Sequence, residues 1–130
     1  MRTYSILFVE DDEISYPVVT SVVKEVFDTI PDIVETGTEA LRAVEAKAYD
    51  LILMDLALLE SDGFRITQAI RERTDSKRDI VIVAVTAYFT EAVEKICFKI
   101  GMNDIIDKPF TVEKCQAIKE KFFESVNEKS

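Results

Sequence analysis

The chain has 130 residues, 48% of them hydrophobic, which is enough for one ordinary domain with a buried core. Twenty-five acidic against sixteen basic residues leave a formal charge of −9. That is the wrong sign for gripping nucleic-acid phosphates, and it suits a protein that concentrates cations. Histidine is absent, which excludes Ser-His-Asp and Cys-His constellations, histidine metal ligation and a phosphohistidine on this chain.

Cys97 and Cys115 form neither a CxxC nor a zinc spacing and read as core residues. No apolar run approaches the ~18 residues of a membrane span, and no signal peptide precedes the first strand. The expectation is a cytoplasmic protein without membrane insertion.

In chain order, Tyr4 to Val9 reads as a buried strand that ends in the acids Glu10, Asp11, Asp12 and Glu13. A helix is expected from about Ile14 to Asp28, with Val18, Val19, Val22, Val23, Val26 and Phe27 inward and Pro17 in the first turn. A short strand follows from Asp32 to Glu35. Thr36-Gly37-Thr38-Glu39 reads as a capping box, opening a helix to about Lys47 that buries Ala40, Leu41 and Val44.

The stretch Tyr49 to Asp55 is a strand apolar on both faces, as in a parallel sheet, and stops at Asp55. A loop from Leu56 to Ser61 leads into a helix from about Asp62 to Arg73, with Phe64, Ala69 and Ile70 inward. Asp79 to Val85 is rich in β-branched residues and is followed by Thr86-Ala87. Thr90 looks like the N-cap of a helix carrying Val93, Ile96, Cys97 and Ile100, which Gly101 stops. Asp104 to Asp107 is a fifth strand, followed by Lys108-Pro109-Phe110. Thr111 caps a last helix with Val112, Cys115, Ile118, Phe122 and Val126 inward. Residues 127–130 are expected to fray.

This is β-α repeated five times without a linker, so residues 1–130 read as a single domain. Such alternation implies a doubly wound α/β fold with a parallel sheet and right-handed crossovers. Order 2-1-3-4-5 is one of two common choices, and periodicity alone does not select it.

The polar residues that end the strands should share the carboxyl edge, where ligands bind in such sheets. They are Glu10, Asp11 and Asp12, then Asp55, Thr86 and Lys108. Crowded carboxylates disfavour their charged forms unless a cation sits among them. Oxygen donors without histidine or cysteine select a hard cation, Mg²⁺ first, with Mn²⁺ as the alternative. Phosphoryl transfer needs positioning and charge stabilisation above all. Asp55 would attack in line, Lys108 would bind a phosphoryl oxygen, and the Thr86 hydroxyl and the Ala87 N–H would take others. Asp12 reads as a helix cap rather than a metal ligand.

Five pieces in order carry a resemblance: Ile6 to Asp12, Met54-Asp55-Leu56, Asp62-Gly63, Thr86-Ala87 and Lys108-Pro109-Phe110. Along nearly its whole length the chain resembles the receiver domains of two-component response regulators, of the chemotaxis-receiver type. Gly101-Met102-Asn103-Asp104 is most similar to receivers of hybrid histidine kinases. The resemblance implies a flavodoxin-like sheet of order 2-1-3-4-5 with Asp55 as phosphoacceptor. It implies Asp11 as direct metal ligand, Glu10 acting on the metal largely through water, the Ala57 carbonyl as a further ligand, and a cis Lys108–Pro109 peptide. It implies a histidine kinase or histidine phosphotransfer protein as donor and a downstream protein target as partner. The output contact would lie near the fourth helix, fifth strand and fifth helix. Such a domain catalyses its own phosphorylation and dephosphorylation rather than turning over as a conventional enzyme.

Three positions depart from the family pattern: Leu59 where proline is usual, Ser61 for a usual Met, and Ile105 where Tyr or Phe is common. Leu59 and Ile105 motivate an alternative, a degenerate receiver that binds partners regardless of phosphate. A haloacid-dehalogenase-type phosphatase would need a second acid two residues after Asp55, where Ala57 stands. Flavin binding is disfavoured because the first strand ends in acids rather than phosphate-binding donors.

Overall fold

The structure is a computed structural model and describes residues 2–56 and 60–124. Five parallel strands form one sheet in the order β2-β1-β3-β4-β5. They are β1 (Ile6–Val9), β2 (Asp32–Val34), β3 (Leu51–Asp55), β4 (Val81–Thr86) and β5 (Asp104–Asp107). The helices are α1 (Tyr16–Phe27), α2 (Gly37–Ala46), α3 (Glu60–Arg71), α4 (Glu91–Ile100) and α5 (Val112–Phe123).

Strands β1 and β3 are buried along their whole length. That is why they read as unbroken apolar runs rather than alternating ones. Alternate residues feed two cores. Phe8, Leu51, Leu53, Val83 and Val85 face α1 and α5, together with Val23, Phe27 and Ile118. Leu7, Val9, Ile52, Met54, Ile82 and Ala84 join Val44, Ile66, Ile70 and Cys97 on the other side. Cys115 belongs to the first core and Cys97 to the second, so the sheet separates the two thiols.

The helix ends follow their capping chemistry. Thr36, Thr90 and Thr111 each accept the N–H three residues on, at 3.1, 3.1 and 3.2 Å. In the Thr36 box, Glu39 accepts from the Glu35 N–H and the Thr36 hydroxyl. Gly101 ends α4 at φ 119, a conformation costly for residues with a Cβ.

The first helix starts later than expected. Residues Glu13–Ser15 form a 3₁₀ turn, because the Asp12 carboxylate caps the Ile14 N–H at 3.0 Å. The fourth strand also starts later, since Ser76–Asp79 forms another 3₁₀ turn. Glu60 and Ser61, expected in the loop before the third helix, already belong to α3.

Three helix positions expected inward are exposed: Val18, Leu41 and Ile96. Val18 lines an open hollow with Ile14, Val19 and Phe110. Conversely, Ile66 is buried and was not part of the expected stripe. Its neighbour Thr67 is buried too, its hydroxyl satisfied by the Gly63 carbonyl at 2.9 Å. Gly63 lets α3 approach β3, since a Cβ there would meet Met54 Cγ at 3.3 Å. The residue-126 packing position and the 127–130 tail lie outside the described residues.

Candidate functional site

The carboxyl edge gathers side chains from four strands. Asp55 is the last residue of β3, between β1 and β4. It is 2% exposed, as is Glu10 just beyond β1. Lys108 follows β5 and is held by its own N–H on the Thr86 carbonyl at 2.8 Å. Its Nζ stands 2.6 Å from Asp55 Oδ2 and 3.8 Å from Glu10 Oε1. The Lys108–Pro109 peptide is cis.

One ammonium thus faces two buried carboxylates. Burial first, and then the hydrogen bond to Asp55, push the Glu10 carboxyl up to about 7, while the Asp12 N–H and Lys108 pull the other way. Burial pulls the Lys108 ammonium down. The bond to Asp55 and the charges of Asp55 and Glu10 outweigh it, and its pKa lies above the ordinary lysine value.

The acid loop is tied at several points. The Glu10 N–H donates to the Val34 carbonyl at 2.9 Å, and the Asp12 N–H donates to Glu10 Oε2 at 3.0 Å. Asp12 is therefore a cap, as expected. Asp11 faces solvent at the mouth, with no hydrogen bond or ion pair to another described residue. The Tyr16 hydroxyl donates to the Glu10 carbonyl at 2.7 Å. Sequence reasoning missed this tyrosine, because only the apolar stripe of the helix was read. Burial and the charges of Glu35, Glu10, Glu13 and Asp11 raise its phenol above the ordinary value.

Thr86 ends β4 and is buried, while Ala87 beside it is exposed. Thr86 Oγ1 accepts the Tyr88 N–H at 3.0 Å, which orients the hydroxyl and leaves its own proton to donate. The Ala57 carbonyl and Leu59 lie outside the described residues.

The residues present fit a hard divalent cation. Glu10, Asp11 and Asp55 offer oxygen alone, and two of them are buried with a single ammonium between them. Among the described residues no three acids already close round a metal position. A cation with few protein ligands and several waters is the kind such a set would hold.

Fold and site together define a doubly wound α/β domain that concentrates carboxylates and one lysine at the edge of a 2-1-3-4-5 sheet. The family model "Response regulator receiver domain" matches residues 6–119. Hybrid signal transduction histidine kinase B of Dictyostelium discoideum is 38% identical over 114 residues, covering 80% of this chain and 6% of its own length. The aerobic respiration control sensor protein ArcB of Escherichia coli is 29% identical over 121 residues, covering 93% of this chain and 15% of its own length. The chain thus spans a small part of these curated relatives. Among solved structures, the receiver domain of the sensor histidine kinase PA1611 of Pseudomonas aeruginosa has a TM-score of 0.82 at 31% identity. The match covers 95% of this chain and 100% of that one, and a magnesium ion is coordinated in that protein's active-site cleft. The Vibrio cholerae chemotaxis protein CheY4, with a TM-score of 0.81 at 19% identity, shares the fold. The chain belongs to the response regulator receiver domain family.

Proposed function

We propose that this receiver accepts a phosphoryl group on Asp55 from a phosphohistidine of a partner, a histidine kinase or histidine phosphotransfer protein, and signals through a changed protein-binding surface. The single observation that carries the proposal is the Lys108 ammonium 2.6 Å from a nearly inaccessible Asp55 carboxylate, with a second buried acid beside it. An aspartate serving only as a strand stop would have no need of that arrangement.

In the transfer, an Asp55 oxygen forms a bond to phosphorus as the partner's P–N bond breaks, and the departing imidazole takes a proton from solvent. The geometry needed is in line, with negative charge spread over the equatorial oxygens. Lys108 would balance that charge by moving from the carboxylate to a phosphoryl oxygen. The Thr86 hydroxyl and Ala87 N–H are the donors for the others. Glu10, Asp11 and Asp55, with the Ala57 carbonyl, would hold Mg²⁺. When bound, the ion supplies positive charge that screens the acids from an incoming phosphate.

Tyr88 and Phe89 before α4, and Ile96 and Phe98 along it, are exposed large side chains. They support an output contact there with a downstream protein. No described helix is long and apolar enough to cross a membrane, which is compatible with a cytoplasmic setting. The acid–lysine set argues against a phosphate-independent binding module, since such a module would have no use for it.

The test is intact-mass measurement after incubation with acetyl phosphate and Mg²⁺. Wild type is expected to gain one phosphoryl group, and Asp55→Asn none. No gain in wild type, or an undiminished gain in Asp55→Asn, overturns the proposal.

A further inference from the structure

We infer that Tyr16 is a positioning residue of the acid loop: its hydroxyl holds the Glu10 carbonyl and thereby sets the peptide that presents Asp11. The inference rests on the reading of Glu10, Asp11 and Asp55 as the cation and phosphoacceptor site.

The Glu10 C=O and the Asp11 N–H belong to one planar peptide unit. Fixing that carbonyl fixes the plane, and with it the direction in which Asp11 leaves the strand. Two bonds hold the backbone on either side of the Glu10 Cα, one in the preceding peptide unit and one in this one. The Glu10 N–H still belongs to the sheet, donating to the Val34 carbonyl at 2.9 Å. Its carbonyl has turned to α1, where the Tyr16 hydroxyl meets it at 2.7 Å. Asp11 has no side-chain bond of its own to another described residue, so the backbone is what aims it.

The hydroxyl is held in turn. The Tyr16 ring meets the buried Phe8 ring edge to face, with centroids 6.4 Å apart at 78°. Tyr16 is also the first residue of α1, whose approach is fixed by Asp12 capping Ile14 at 3.0 Å and by the Ser15 N–H on the Asp12 carbonyl at 3.0 Å. The loop is therefore a closed circuit: out of β1, round the Asp12 turn, into α1 and back to the end of β1 through one phenol. Any residue without a hydroxyl at position 16 would leave that circuit open. A merely structural tyrosine would fill space against Phe8 and owe the site nothing.

The experiment compares wild type, Tyr16→Phe and Tyr49→Phe. Phenylalanine keeps the ring on Phe8 and deletes only the donor. Tyr49 is a control: a buried tyrosine whose hydroxyl bonds Asp32 at 2.7 Å, among residues that the proposed site does not use. Mg²⁺ affinity is read by calorimetry and the backbone amides by ¹H–¹⁵N spectra without metal. Tyr16→Phe should shift the Asp11 amide signal and weaken Mg²⁺ binding about fivefold, about 1 kcal/mol. Tyr49→Phe should leave the Mg²⁺ affinity as it was. An unchanged affinity in Tyr16→Phe overturns the inference and leaves the site reading standing. So does an equal loss in Tyr49→Phe, which would reflect general loosening. Wild type that binds no Mg²⁺ overturns the site reading together with this inference.

Discussion

Replacing Lys108 by methionine keeps an unbranched apolar stem and removes the ammonium that faces the two buried acids. In wild type its Nζ lies 2.6 Å from Asp55 Oδ2 and 3.8 Å from Glu10 Oε1. At an effective dielectric constant of about 20 these separations correspond to roughly 6 and 4 kcal/mol of gross attraction. Most of that is offset by the desolvation of the lysine itself, whose side chain is 29% exposed. Breaking a buried pair from one side costs about 3–5 kcal/mol, and the partial exposure places Lys108→Met near the lower figure, about 3 kcal/mol. The loss should depend on pH. Glu10 is raised from 4.5 to about 7 in the folded protein, so the native state holds a proton that the unfolded state releases. Stability therefore falls as pH rises through that window. Without the ammonium the fall becomes steeper and extends to higher pH. The deficit of Lys108→Met should be greatest near pH 8 and shrink by about half or more near pH 5, where Glu10 carries its proton. Mg²⁺ should stabilise both proteins, by about 2.7 kcal/mol at a hundred times its Kd. Urea unfolding at the two pH values, with and without Mg²⁺, measures all of this. Equal midpoints for variant and wild type at pH 8, or the same deficit at both pH values, would show that Lys108 does not neutralise these acids.

Arg71→Met should lower stability by about 3 kcal/mol in urea unfolding, because one charged, half-buried donor satisfies several acceptors at once. Its guanidinium bonds the carbonyls of Gly101, Arg78 and Ile80 at 2.8, 2.6 and 2.8 Å and Asn103 Oδ1 at 2.8 Å. A loss under about 1 kcal/mol would mean that these bonds are readily replaced by water. Cys97 and Cys115 should resist alkylation at pH 8 in the folded protein and react fully in denaturant. Both are buried, and burial pushes the Cys115 thiol up to about 12. Labelling of the native protein at the denatured rate would contradict this burial.

Asp55 and Glu10 were legible in the sequence because a buried parallel strand announces itself as an apolar run, and the first polar residue after it marks the edge. Lys108 follows a short strand with an acid at each end, and it stood out as the one basic residue to close a strand. The order of the strands was not legible from periodicity and came with the family resemblance; the observed sheet bears it out. Val18, Leu41 and Ile96 were misplaced for a different reason. Helical spacing says which residues share a face, not how wide a stripe the neighbouring elements cover, and all three lie at its uncovered margin. Hydrogen bonds between distant residues left no periodic signal. Tyr16 reaching back to Glu10, and Arg71 joining the ends of α3 and α4 to the starts of β4 and β5, are single polar contacts that only the fold brings together. The Asp12 cap was readable, but its consequence, a 3₁₀ turn before α1, was not.

A crystal structure of the protein with Mg²⁺ and beryllofluoride tests the central claim most directly. The account predicts beryllium bonded to an Asp55 oxygen, Lys108 Nζ on a fluoride, the Thr86 hydroxyl donating to another, and Mg²⁺ bridging the Asp11 and Asp55 carboxylates. Beryllofluoride bound elsewhere, or bound at Asp55 with Lys108 turned away and no metal against Asp11, would contradict it.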